Sequence, residues 1–264
     1  MRWLDRVLGR SSEPALEADP MTQALAAANA GDYERALSIW EPLARAGVAR
    51  AQNNIGACFA EGLGVPVDRS LALQWLRLSA EAGDPVGERN YAAFHMQDIE
   101  GTDADYGIAA DFYRRAAEKG DGPAQDMLSW MLIEGEVMPA DPLASRQWAE
   151  KAAGAGIATS MTRLGMFYHN AHGVERDAQK AAHWWQLAAE KGEADAQAML
   201  GAALHMGSGV EKDSIAALVW LIRAQAGGSE LAKPFVGPVR DSLSAADIAE
   251  AERRAAGPLP EAKS

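Results

Sequence analysis

Residues 182–192 read AHWWQLAAEKG. A histidine and two adjacent tryptophans could form an aromatic binding site or plain core, and the spacing around them decides which. Gly192 closes the stretch. Steps of 36 residues from it reach Gly156 on one side and Gly228 on the other. Gly120, Gly83 and Gly47 continue the series, with a single step of 37 between Gly83 and Gly120. Fifteen residues before each glycine stands an aspartate: Asp32, Asp68, Asp105, Asp141, Asp177 and Asp213. Two columns that hold over six units mark an internal repeat, in which each unit buries its face against its neighbours.

Positions 4, 7 and 11 after each aspartate trace one face of an α-helix. Position 4 is always small: Ala36, Ala72, Ala109, Ser145, Ala181 and Ala217. Position 7 holds Ile39, Trp75, Phe112, Trp148, Trp184 and Trp220, and position 11 holds Leu43, Ser79, Ala116, Ala152, Ala188 and Ala224. Aspartate suits the N-cap of such a helix, and glycine suits the left-handed residue just past its end. Trp184 therefore reads as core. Trp185 falls in the more variable column Trp40, Leu76, Tyr113, Ala149 and Leu221, which reads as a seam between repeats. His183 reads as exposed.

The other half of each unit is a second helical pattern. Positions 4, 8 and 12 after the glycine give Ala51, Ile55 and Phe59, and later Ser160, Leu164 and Tyr168. Turns such as GLGVPVD (62–68), AHGVERD (171–177) and GSGVEKD (207–213) join the halves. Val137 replaces the turn glycine in one unit, so that turn must suit a β-branched residue or carry strain.

These columns resemble the Sel1-like repeat. The best match has Leu164, Gly165, Tyr168, Gly173, Val174, Asp177, Lys180, Ala181, Trp184, Ala188, Ala189 and Gly192. The resemblance covers roughly residues 21–228. It implies an all-α, right-handed α/α superhelical solenoid of about six helix pairs with a C-terminal helical cap. The expected units are 21–47, 48–83, 84–120, 121–156, 157–192 and 193–228, with the cap over 229–256. Residues 1–20 and 257–264 read as tails. The unit 84–120 departs most, with Ala92 and His95 at motif positions and an insertion near 98–105.

Composition narrows the function. A net charge of −12 with no Lys/Arg cluster argues against a nucleic-acid partner. The single cysteine, Cys58, excludes an internal disulfide and a multi-cysteine zinc site, and reads as interior filling. The five histidines, His95, His169, His172, His183 and His205, form no evident ligand set, so no metal and no cofactor are expected. P-loop, dinucleotide-fold, metalloprotease and nucleophile-elbow motifs are absent, and the expectation is a protein that is not an enzyme. No stretch approaches the ~20 apolar residues of a membrane span, so the expected compartment is cytoplasmic. Trp3, Leu4, Val7 and Leu8 opposite Arg2, Arg6 and Arg10 leave open a peripheral contact with the inner membrane through residues 2–8.

The resemblance implies that the first helix of each unit lines the concave side. There the outward positions turn apolar and sulfur-rich: Met96, Trp130, Ile133, Met166, His169, His205 and Met206. A solvated face would be mostly polar, and methionine-rich faces adapt to varied partners. These seven residues are the candidate partner-binding set. Sel1-like proteins generally act as adaptors, often in bacterial signalling, envelope or host-interaction pathways. The expected function is a scaffold for a protein or peptide of unknown identity. A membrane-peripheral adaptor is the alternative. A β-lactam-binding or β-lactam-hydrolysing role, as in the cysteine-rich branch, is disfavoured by the single cysteine.

Overall fold

The computed structural model describes residues 19–97 and 104–260. The readings for residues 1–18, including the amphipathic segment 2–8, lie outside the described residues. So does most of the insertion near 98–105. Every regular element among the described residues is helical. The chain divides into two compact units, one ending at Gln97 and the other beginning at Asp98.

The first unit contains α1 (Pro20–Asn29), α2 (Tyr33–Arg45), α3 (Ala49–Glu61), α4 (Arg69–Glu81) and α5 (Pro85–His95). The second contains α6 (Tyr106–Glu118), α7 (Gly122–Glu134), α8 (Pro142–Gly154), α9 (Ala158–Asn170), α10 (Ala178–Glu190), α11 (Ala194–Met206) and α12 (Ser214–Ala226). A 3₁₀ turn (Glu230–Ala232), α13 (Lys233–Asp241) and α14 (Ala245–Ala255) follow. Helices consecutive in sequence pack against one another from α1 to α5 and from α6 to α13, and α14 closes over α12.

The helix ends explain the two ruling columns. Each repeated aspartate caps a second helix, its carboxylate accepting from the backbone N–H three residues on: Arg35, Leu71, Ile108, Ala144, Lys180 and Ala216. The charge also suits the positive end of the helix dipole. All six closing glycines have positive φ. The residue after each donates its N–H back five positions, as from Val48 to Leu43 and from Glu193 to Ala188, which satisfies carbonyls orphaned at the helix end.

Packing of the second helices differs from the sequence reading at the tryptophans. The buried column is position 8, not position 7. Trp40, Leu76, Tyr113, Ala149, Trp185 and Leu221 are all buried, whereas Ile39, Trp75, Phe112, Trp148, Trp184 and Trp220 are half-exposed. At about 100° per residue, positions 4, 8 and 11 cluster on one side and position 7 falls on its flank. Cations cover several flank aromatics. Lys151 lies 3.8 Å from the Trp148 ring centre, Arg115 4.4 Å from Phe112, and Arg223 5.3 Å from Trp220. Such stacking shields a half-buried ring while keeping the charge in water.

The position-8 side chain lies on the paired first helix, where a small residue makes room. A Cβ on Gly165 would stand 2.2 Å from the Trp185 Nε1, and one on Gly201 would stand 2.7 Å from the Leu221 Cγ. Where position 8 is only Ala149, the first helix carries Ser129 instead. There the Ser145 hydroxyl donates to the Ser129 carbonyl at 2.6 Å.

A buried glutamine column fastens successive pairs and escaped the sequence reading. The side-chain amides of Gln52, Gln125 and Gln197 donate to the carbonyls of Ala44, Ala117 and Ala189, at 3.1, 3.0 and 3.2 Å. Each ties the start of a first helix to the end of the preceding second helix. The signal was the repeated Ala-Gln at 51–52, 124–125 and 196–197.

The inter-helix turns also stack. A Cβ on Gly64 would lie 2.8 Å from the Tyr33 Cβ, and one on Gly209 would lie 1.9 Å from the Ala178 carbonyl oxygen. At Gly64 and Gly209 the turn glycine therefore rests on the first turn of the preceding second helix, where no side chain fits, whereas at Gly173 a Cβ would make ordinary contact at 3.6 Å. Val137 lacks a positive φ, so its turn follows the unstrained alternative. Ala171 is the one described non-glycine residue in the left-handed region, at φ 57°.

At the C-terminal end, Ser244 and Asp247 form a reciprocal capping box on α14. The Arg223 guanidinium donates to the carbonyls of Arg254, Ala255, Gly257 and Pro258. Gly257 and Pro258, read from the sequence as part of a loose tail, are thus fastened to α12.

Candidate partner-binding face

First helices of neighbouring pairs approach one another, α3 against α5 in the first unit and α7 against α9 in the second. Second helices of neighbouring pairs make at most glancing contact. Only α3 and α5, in the first unit, approach closely enough to mark a tighter arc on the first-helix side.

Six of the seven candidate residues belong to the second unit. Trp130 and Ile133 are on α7, Met166 and His169 on α9, and His205 and Met206 on α11. Met96 is the C-cap of α5 and belongs to the first unit. Burial grades the six. Met206 is 57% exposed and is the most open; Trp130, Ile133, Met166, His169 and His205 are half-buried. Ile133 and Met166 pack against the core cluster built around Leu164, Phe167 and Trp185. These two are partly structural, which the outward helical positions alone did not reveal.

The two histidines are positioned by core groups. The His169 ring lies 5.4 Å from Trp185, tilted at 51°. The His205 Nδ1 is buried without a hydrogen-bond partner. Among the described residues, no group of three or more His, Cys, Asp or Glu side chains is placed to hold a metal ion. Burial raises the Cys58 thiol above its usual pKa, which keeps it protonated and a poor nucleophile.

Polar links run between neighbouring first helices beside the apolar strip. The Asp126 carboxylate accepts from the Thr159 and Ser160 hydroxyls and from the Arg163 guanidinium, at 2.8, 2.5 and 2.7 Å. Thr162 donates to Glu193 at 2.6 Å. This carboxylate is engaged with protein donors on three sides and serves to hold α7 to α9.

Open volume lies elsewhere. A cavity of about 240 Å³ on the first-helix side of the first unit has a floor of Ala57, Ala60, Ala93 and Phe94 and a rim of Glu61, Arg69, Asn90 and Gln97. A second, of about 320 Å³, is lined by Leu37, Ile55, Phe59 and Trp75 with Glu41 and Arg45 at its edge. The sequence reading singled out neither.

The Sel1 repeat pattern matches residues 49–84, 85–121, 122–157, 158–193 and 194–229, well over half of the chain. The chain belongs to the Sel1 repeat family. Among solved structures it is similar to c5321, described as a protective antigen of uropathogenic Escherichia coli with an SLR fold. That likeness has 28% identity and a TM-score of 0.78, over 85% of this chain and 48% of the other. A Sel1 repeat protein from Oxalobacter formigenes is similar at 25% identity and a TM-score of 0.77, over 94% of this chain and all of the other. Among curated proteins, chitin synthase regulatory factor 3 of Schizosaccharomyces pombe is 28% identical over 133 residues. That match takes in 50% of this chain and only 14% of the yeast protein. Sel1 repeat proteins are generally protein-interaction scaffolds and mostly not enzymes. No helix among the described residues is long and apolar enough to cross a membrane.

Proposed function

We propose that this Sel1 protein is a non-catalytic adaptor that holds a protein or peptide along the first helices of its second unit. The observation that carries this reading is the half-buried apolar strip Trp130, Ile133 and Met166, continued by His169, His205 and Met206. The concave first-helix face that the Sel1 resemblance implies supports the reading, because an inward-curving face can surround a partner segment on more than one side. Methionine and tryptophan supply adaptable and large apolar contacts, and an aromatic anchor often dominates an interface.

The test separates contact residues from packing residues. Met166 rests on the core, so a charge there would disturb the fold as well as the face. The informative double change is Trp130→Ala with Met206→Glu. Affinity capture from the source organism identifies proteins held by the wild type. The expected outcome is loss of those proteins with the helical circular dichroism unchanged. Retention of every captured protein by a folded double variant rejects the strip as the binding face.

A further inference from the structure

One strip of the repeat is emptied in the first unit. Position 10 after the closing glycine holds Trp130 on α7 and Met166 on α9, but Ala57 on α3 and Ala93 on α5. Position 13 holds Ile133 and His169 on α7 and α9, but Ala60 on α3. Where the second unit carries large side chains, the first unit carries these three alanines, and the cavity of about 240 Å³ lies among them. Phe94 and the buried Leu76 complete its apolar walls. The volume falls below the ~300–1,000 Å³ of pockets that take drug-sized ligands, so it suits one small molecule.

The rim carries charge of both signs. Glu61 ends α3, Arg69 begins α4, and Gln97 follows the C-cap of α5. Among the described residues no ion pair joins Glu61 to Arg69, although both line the cavity. The Arg69 guanidinium donates one long hydrogen bond, 3.5 Å to the Gln97 Oε1, and the Asn90 amide is already engaged with Asn53 at 2.8 Å. An anion alone would be repelled by Glu61 and a cation alone by Arg69, whereas a zwitterion suits both. We propose that this cavity binds a free α-amino acid with an apolar side chain, of the size of leucine or phenylalanine. The side chain fills the space left by Ala57, Ala60 and Ala93. Glu61 accepts from the α-ammonium, and Arg69 donates to the α-carboxylate. The site belongs to the first unit alone, so it stands or falls independently of the strip on the second.

Both rim charges are exposed and each adds little, so the expected dissociation constant is on the order of 1 mM. Heteronuclear NMR of the full chain, titrated with L-leucine and with L-phenylalanine to about 20 mM, spans that value. The expected result is saturable shifts centred on the amides of Ala57, Ala60, Ala93 and Gln97 with at least one of the two. The N-acetyl derivative of the amino acid that binds lacks the ammonium, and its carboxamide lacks the carboxylate. Each should bind about fivefold more weakly, the effect of one exposed ion pair. Glu61→Gln should weaken the free amino acid by the same factor and leave the N-acetyl derivative unchanged. Arg69→Gln should do so and leave the carboxamide unchanged. Ala93→Trp and Ala57→Trp import the side chain of α7 and should abolish binding with the helical circular dichroism unchanged. Absence of saturable shifts with both amino acids overturns the proposal. So does an N-acetyl derivative that binds as tightly as the free amino acid, which would make the cavity a seat for a peptide's last residue. Binding that survives a folded Ala93→Trp or Ala57→Trp overturns it as well.

Discussion

The pairs α7–α8 and α9–α10 occupy the same frame and fill it in opposite ways. In α9–α10, a glycine on the first helix faces a tryptophan, and no atom could be added between Gly165 and Trp185. In α7–α8, the facing residues are Ser129 and Ala149, and a serine hydroxyl takes up part of the space. The pairs also differ at the seam behind them. Gln125 reaches the Ala117 carbonyl, whereas α9 has Met161 at that position. They differ again at the turn, where the left-handed residue is Gly135 in one and Ala171 in the other. The repeat therefore fixes volume jointly across two helices, and position 8 can vary if the facing residue compensates.

The largest effect should come from breaking that compensation. Trp185→Ala empties a buried site and is expected to cost about 3–5 kcal/mol. Gly165→Ser forces a side chain into the Trp185 indole and is expected to cost about 2–3 kcal/mol. Together they reproduce the neighbouring solution of serine opposite alanine. Urea denaturation should show the double variant more stable than the sum of the single changes by about 2 kcal/mol or more. Strict additivity would show that the two positions are not a volume pair.

The seam gives a smaller effect. Gln125→Met imports the side chain of the next pair and removes one of two donors to the Ala117 carbonyl, the Gly120 N–H remaining at 3.0 Å. The expected loss is about 0.5–1.5 kcal/mol, the net worth of one hydrogen bond, because the carbonyl keeps its other donor. A melting temperature equal to wild type would mean that the glutamine column is not a fastening.

This comparison also explains what the sequence could and could not reveal. The helices, their caps and their order follow from Asp and Gly columns that serve backbone geometry and tolerate few substitutes. The assignment of the tryptophans failed for a physical reason. Position 7 looks uniform because it is nearly always aromatic, yet it lies on a flank under Lys151, Arg115 and Arg223. Position 8 looks variable, from Ala149 to Trp185, because its size is balanced on the opposing helix at Ser129 and Gly165. A column read alone hides that balance. The glutamine column was visible but carried no cue to its carbonyl partner, which lies eight residues earlier on another helix. The candidate partner-binding strip was the least legible part. Helical position shows that Ile133 and Met166 point outward, but not that the core reaches up to meet them.

The turn yields the smallest effect and has the opposite sign. Ala171 closes α9 in the left-handed conformation, where its Cβ crowds the following carbonyl at a cost of roughly 1 kcal/mol. Three other first helices, α3, α7 and α11, use glycine at this point: Gly62, Gly135 and Gly207. Ala171→Gly should therefore stabilise the fold, with the relief of strain exceeding the entropy that glycine adds to the unfolded chain. The expected gain is about 0.5–1 kcal/mol, read as a rise in the denaturation midpoint at unchanged slope. The reverse change supplies the contrast. Gly135→Ala takes on the same strain and places a Cβ 2.9 Å from that of Ala140, so it should cost more than Ala171→Gly gains. A loss of stability in Ala171→Gly would place the strain elsewhere in the turn and remove the distinction drawn between the two pairs at this position.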